Sequence, residues 1–166
     1  MSLSRLSCIL VFILFAALVP VSAYTVSFIV VETGLPEEQG VCEYSNLWES
    51  GLLDVFFDAG HIVSNAPVLR LNKPPAKQFP DEAAESLNEA NAGGADYIIL
   101  ALLDYQGSGA PDISTPKPKQ VSLRLFKTSP FRFIGEEKFA APRKAGAGED
   151  FISAKQAAVK MLPYLK

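Results

Sequence analysis

Histidine, cysteine and tryptophan are scarce in this chain of 166 residues, with one His, two Cys and one Trp. One imidazole leaves little material for a His-based metal centre or a His-activated nucleophile. There is no run of Lys or Arg, and eighteen acidic side chains outnumber fifteen basic ones. Nucleic-acid phosphates demand clustered cations, so that class of partner is excluded. Internal repeats are absent as well. With 49% hydrophobic residues the chain has ample material for a packed core, which excludes disorder.

The amino-terminus stands apart. Arg5 is the only charged residue among the first 23, an apolar run fills 9–19, and Pro20 leads into Val21-Ser22-Ala23. Small residues at the first and third positions before a cut suit a signal peptidase, so residues 1–23 read as a cleaved secretory signal. The apolar run is shorter than the roughly 20 residues needed to span a bilayer, and membrane contact is expected only if the signal is retained. Cys8 precedes the run, where lipidation would require a Cys after it. Without the first 23 residues, 143 remain, with fourteen bases, eighteen acids and Cys42 alone. That length predicts one domain over 24–166, and the signal predicts that it is exported, and periplasmic in a cell with two membranes. A lone Cys makes no internal disulfide, so stability must come from packing.

Residues 25–33 are rich in Val, Ile and Phe and read as a buried strand. From 39 to 59 the period becomes helical, with Tyr44, Trp48, Leu52, Val55 and Phe56 on one face and Gly60 as the stop. Residues 61–71 return to strand character, and Asn72-Lys73-Pro74-Pro75 ends it. Pro80-Asp81 opens a second helix that Gly93-Gly94 closes. The continuous apolar run 97–103 suits a central strand covered on both faces. Residues 107–120 hold Gly and Pro with few apolar side chains and read as a long surface loop. Two further strands, 121–125 and 131–139, form an antiparallel hairpin across Thr128-Ser129-Pro130, and an amphipathic helix follows 146–149. The expected fold is α/β, with one mixed parallel and antiparallel sheet of about five strands and three helices, in the order β-α-β-α-β-β-β-α.

Gly94-Ala95-Asp96-Tyr97-Ile98-Ile99-Leu100, entering a central strand after a helix, resembles exported modules typified by the amino-terminal domain of TolB and by CsgG, as does the order of strands and helices. The resemblance implies a non-catalytic envelope protein that assembles with others. Pore formation does not carry over, because the chain lacks a lipidation Cys and an amphipathic membrane hairpin. No site residue carries over.

Candidate chemistry is thin. Cys42 and His61 are the only thiol and imidazole that could pair in the exported chain, yet Cys42 reads as a buried apolar side chain and His61 as a residue past a helix end. Asp54 and Asp58 lie one turn apart on a polar helix stripe and are two carboxylates, short of a metal site. Gly93-Gly94 and Gly107-Ser108-Gly109 lack the strand, helix and Lys context of a phosphate loop. No cofactor or metal is expected.

Three places could bind something. Leu53 and Phe57, four residues apart, give the first helix a second apolar edge, which reads either as a helix sandwiched between the sheet and a neighbouring element or as a partner-binding patch. Phe131 and Phe133 on an edge strand offer strand addition, with Arg132, Glu136, Glu137 and Lys138 as charges that guard the edge. Asp104 and Tyr105 follow the central strand at its carboxyl end, a usual ligand location in α/β sheets. The leading expectation is a non-enzymatic interaction or assembly module of the cell envelope, with an envelope protein or complex as partner. The alternatives are a small-ligand or glycan-binding protein using Asp104, Tyr105 and the 107–120 loop, and a carboxylate-dependent hydrolase using Asp104.

Overall fold

The computed structural model describes residues 23–36, 40–105, 116–140 and 147–165. The signal sequence, apart from Ala23, and most of the 107–120 loop lie outside the described residues.

The elements are β1 (Thr25–Thr33), α1 (Glu43–Asp58), β2 (Ile62–Asn65), β3 (Leu69–Leu71), α2 (Ala84–Ala92), β4 (Tyr97–Asp104), β5 (Gln120–Lys127), β6 (Arg132–Ala140) and α3 (Ala147–Met161). A single 3-10 turn, Asp81–Ala83, leads into α2, and another, Leu162–Tyr164, follows α3. The strands form one mixed sheet in the order β2-β1-β4-β5-β6, with β3 also pairing β1. Pairings of β1 with β2, β3 and β4 are parallel, and those of β4 with β5 and β5 with β6 are antiparallel. Fold class and element order are those the sequence leads one to expect.

One element differs. Residues 61–71, expected as one strand, split into β2 and β3, which occupy successive stretches of the same edge of β1. Pro67 falls in the gap and has no N–H to give to the ladder, so pairing stops there and resumes at Leu69.

Parallel crossovers are right-handed, so the direction of travel across the sheet decides which face the helix covers. From β1 the chain moves outward to β2 with α1 on one face. From β3 it returns past β1 to β4, and α2 must cross the other. The side chains follow this division. Val26, Phe28, Val30, Ile99 and Leu103 point to the first face and pack with Trp48, Leu52 and Phe56 of α1 and Ala154, Ala158 and Met161 of α3. Ile29, Val31, Ile98 and Leu100 point to the second face, under Ala83, Ala90 and the partly buried Leu87. Both faces of β1 and β4 are therefore covered, which accounts for their nearly unbroken apolar sequences. The crossover direction reverses between β1 and β4, and the carboxyl ends of these strands, Thr33 and Asp104, sit side by side.

Candidate functional site

The carboxyl ends of β1 and β4 lie at the topological switch point, where open α/β sheets leave a crevice. On the first-face side this crevice is filled by the protein itself. Glu32, fully buried within the apolar β1, stands opposite Arg70 in the parallel register of β1 and β3. Its carboxylate accepts the Cys42 backbone N–H at 2.8 Å and Arg70 Nε–H at 3.1 Å, and forms a short ion pair with Arg70 Nη2. Arg70 also donates to the carbonyls of Pro36 and Gly40, both at 2.9 Å. The buried ion pair thus ties Pro36, Gly40 and Cys42 to the sheet ahead of α1. Cys42, also buried, donates its thiol to the Pro116 carbonyl at 3.3 Å.

Asp104 and Tyr105, expected to share one ligand site, are turned to opposite faces by the alternation of an extended chain. Tyr105 is 1% exposed, its hydroxyl 2.8 Å from Ser45 Oγ under α1. Burial holds its phenol well above the ordinary tyrosine range. Asp104 faces the second side, with Thr33 Oγ1 donating to it at 3.4 Å.

There Asp104 lines a concavity of about 180 Å³ with Thr33, Ser122, Arg124, Glu136 and Lys138 among others. Its charges are largely satisfied internally. Glu136 accepts Ser122 Oγ–H at 2.5 Å and Arg124 Nε–H at 2.7 Å, and Lys138 Nζ lies 3.4 Å away. Burial works against the Glu136 carboxylate, but Ser122 and Arg124 outweigh it and hold its pKa below the usual range. Arg124 Nη1 donates to the carbonyls of Lys77 and Gln78, tying the β5–β6 hairpin to the connector before α2. Ligand pockets usually enclose roughly 300–1,000 Å³ and keep polar groups for the guest. This concavity is smaller, and its Arg and Glu are committed to the fold.

Leu53 and Phe57 share an edge of α1 but not an environment. Leu53 is half-buried against the first-face core, whereas Phe57 is 67% exposed. The other sequence candidates are also apart. Cys42 precedes α1 and His61 follows it, and sixteen helical residues at about 1.5 Å each separate them by roughly 24 Å. The Tyr24 N–H donates to His61 Nδ1 at 3.2 Å. Asp54 is engaged by Lys155 of α3 at 2.5 Å. Among the described residues no group of three or more His, Cys, Asp or Glu could hold a metal ion, and no helix is long and apolar enough to cross a membrane.

Among the described residues, a cluster of aromatic rings that is partly exposed lies on the β5–β6 hairpin. Phe126 is buried, and Phe131 stacks on it with ring centres 5.5 Å apart and planes 3° from parallel. Phe133 meets Phe126 edge-on at 5.5 Å, and Phe79 of the connector meets both Phe126 and Phe131 edge-on at 5.2 and 5.4 Å. A register shift between Leu125 and Phe126 lets Phe133 pair with Phe126 while Glu136 still pairs with Arg124. Phe131 and Phe133 remain 45% and 37% exposed. Among the described residues no strand pairs with the outer edge of β6.

No protein-family model and no curated protein matches the chain. It is similar to solved structures at low identity. The PelC dodecamer from Paraburkholderia phytofirmans is 13% identical, with a TM-score of 0.47 over 86% of this chain and 87% of that one. TolB from Acinetobacter baumannii is 10% identical, with a TM-score of 0.43 over 87% of this chain and 29% of that one. The competence damage-inducible protein A from Klebsiella pneumoniae is 15% identical, with a TM-score of 0.39 over 95% and 92%.

Proposed function

We propose that this chain is a non-catalytic recognition module that takes a partner protein along the open edge of β6, with Phe131 and Phe133 as its anchors. The observation that carries this reading is the four-ring cluster. Two half-exposed phenylalanines are held in place by Phe126 and Phe79, at an edge whose backbone groups no described strand pairs. Aromatic anchors that are already ordered lose little side-chain entropy on binding, which favours affinity per contact. A free edge adds backbone hydrogen bonds to an incoming strand. The signal-like amino-terminus supports an envelope protein or complex as the partner. Binding of a small ligand or glycan, and hydrolysis through Asp104, would use the second-face concavity, whose size and internal pairing give them less support.

The test is crosslinking in cells followed by mass spectrometry, with wild type beside a Phe131→Ser/Phe133→Ser variant shown by circular dichroism to be folded. A discrete partner captured by wild type and lost in the variant is the expected result. Capture of the same partner by both proteins, or of none by either, overturns the proposal.

A further inference from the structure

At the first-face end of the crevice a second buried carboxylate is held in a different way. Asp150, in the first turns of α3, is fully buried. Its Oδ2 faces Lys117 Nζ at 3.3 Å, and its Oδ1 has no hydrogen-bond partner among the described residues. Trp48 Nε1 of α1 is likewise buried without one, yet close enough to favour the ionised carboxyl. Lys117 lies over the Tyr44 ring, 4.6 Å from its centre. Among the described residues, the charged and titratable groups around Asp150 are Lys117 from residues 116–119, Tyr44 from α1 behind that lysine, and Glu149 from its own helix, with the Trp48 indole as a neutral donor.

Residues 116–119 lead into β5, and among their contacts are the Cys42 thiol on the Pro116 carbonyl and the Lys119 N–H on the Asp104 carbonyl. Lys117 is the charged link in this set. Its partner is a fully buried carboxylate, whose charge burial penalises and a proton removes.

We propose that Asp150 is a proton-operated clasp: ionised, it draws Lys117 and residues 116–119 onto α1 and α3, and protonated, it lets that segment move away. Burial raises the pKa of Asp150 above the ordinary 3.8, and Lys117 and Trp48 offset the rise only in part, so the change falls above pH 3.8.

Trp48 is the only tryptophan of the chain and sits beside the carboxyl, so its emission reports the clasp directly. The purified chain is titrated from pH 8 to pH 4, with far-ultraviolet circular dichroism as the control for folding. Wild type is expected to show an emission step centred above pH 3.8 that is absent in Asp150→Asn. At pH 8 trypsin should cut after Lys119 roughly tenfold faster in Asp150→Asn than in wild type, because cleavage follows the open population. Lys117 is followed by Pro118 and does not compete as a cleavage site. Lys117→Met keeps the carboxylate and removes its cation, so its emission step should move to higher pH and its cleavage after Lys119 should also quicken. This variant decides the matter if Asp150→Asn does not fold. A wild-type emission that stays flat while the protein remains folded, or unchanged cleavage in the Lys117→Met protein, overturns the proposal.

Discussion

Gly51 of α1 lies so close to Ala154 of α3 that a methyl group on Gly51 would stand 2.7 Å from the Ala154 Cβ and 2.9 Å from the Phe151 carbonyl oxygen. The two helices cross here at backbone contact, with Lys155 on Asp54 one turn further along. Gly51→Ala should lower stability by up to about 2 kcal/mol, because overpacking costs roughly 1–3 kcal/mol and the gain in helix propensity returns about 1 kcal/mol. Denaturant unfolding of the two proteins measures this, and a stabilised variant would show that the helices part freely.

The Glu32–Arg70 pair should behave as a unit. Arg70→Met leaves a carboxylate buried without its cation and should cost about 3–5 kcal/mol. The double variant Glu32→Met/Arg70→Met removes both charges and should recover much of that loss. A double-mutant cycle by chemical denaturation measures the coupling.

His61 and Asp150 should bend the pH–stability curve in opposite senses. Burial lowers the His61 pKa below 6.5, so the unfolded chain takes up its proton first and stability falls as pH drops through 6.5. Asp150 is raised above 3.8, so between 3.8 and its folded value the folded chain holds the extra proton and stability rises as pH drops. His61→Leu should flatten the curve below pH 6.5, and Asp150→Asn should flatten it above pH 3.8. Unfolding midpoints across that range separate the two.

Substitutions on the outer edge of α1 should divide by depth. Phe57→Asp replaces a mostly exposed ring and should change stability by about 0.5 kcal/mol or less. Leu53→Asp puts a charge against the first-face core and should cost about 2 kcal/mol or more. Thermal unfolding distinguishes them, and Phe57→Asp alone is the sound probe of a partner at this edge.

Most of the fold is legible in the sequence because it follows from local rules. The apolar run of β1, the 3.6-residue period of α1 and the alternation in β5 each name an element and its buried side. Pro67 within residues 61–71 was the one visible sign that a strand would break. The side-chain constellations are less legible, because they join residues far apart in the chain. Glu32 is an acid inside a buried strand, and that anomaly signals a partner, but only the parallel register identifies Arg70. Nothing local distinguishes Asp150 from its exposed neighbour Glu149, and the contact between Gly51 and Ala154 depends on how two helices cross. Asp104 and Tyr105 are adjacent in sequence, yet the pleat of the strand sends them to opposite sides of the sheet.

The parallel register of β1 also governs the order in which the chain can become ordered. Val26 finds its neighbour in Tyr97, and Thr25 finds its other neighbour in Ile62, whereas the β5–β6 hairpin closes across residues 128–131. Loops as long as those of β1 must close before their contacts give any return, so such strands are slow to pair. A nascent chain that ends before Tyr97 therefore carries its most apolar strand with one side open, a surface on which two unfinished copies can adhere. The strand that comes first in the sequence is among the last to be secured, and β4 is the segment that secures it.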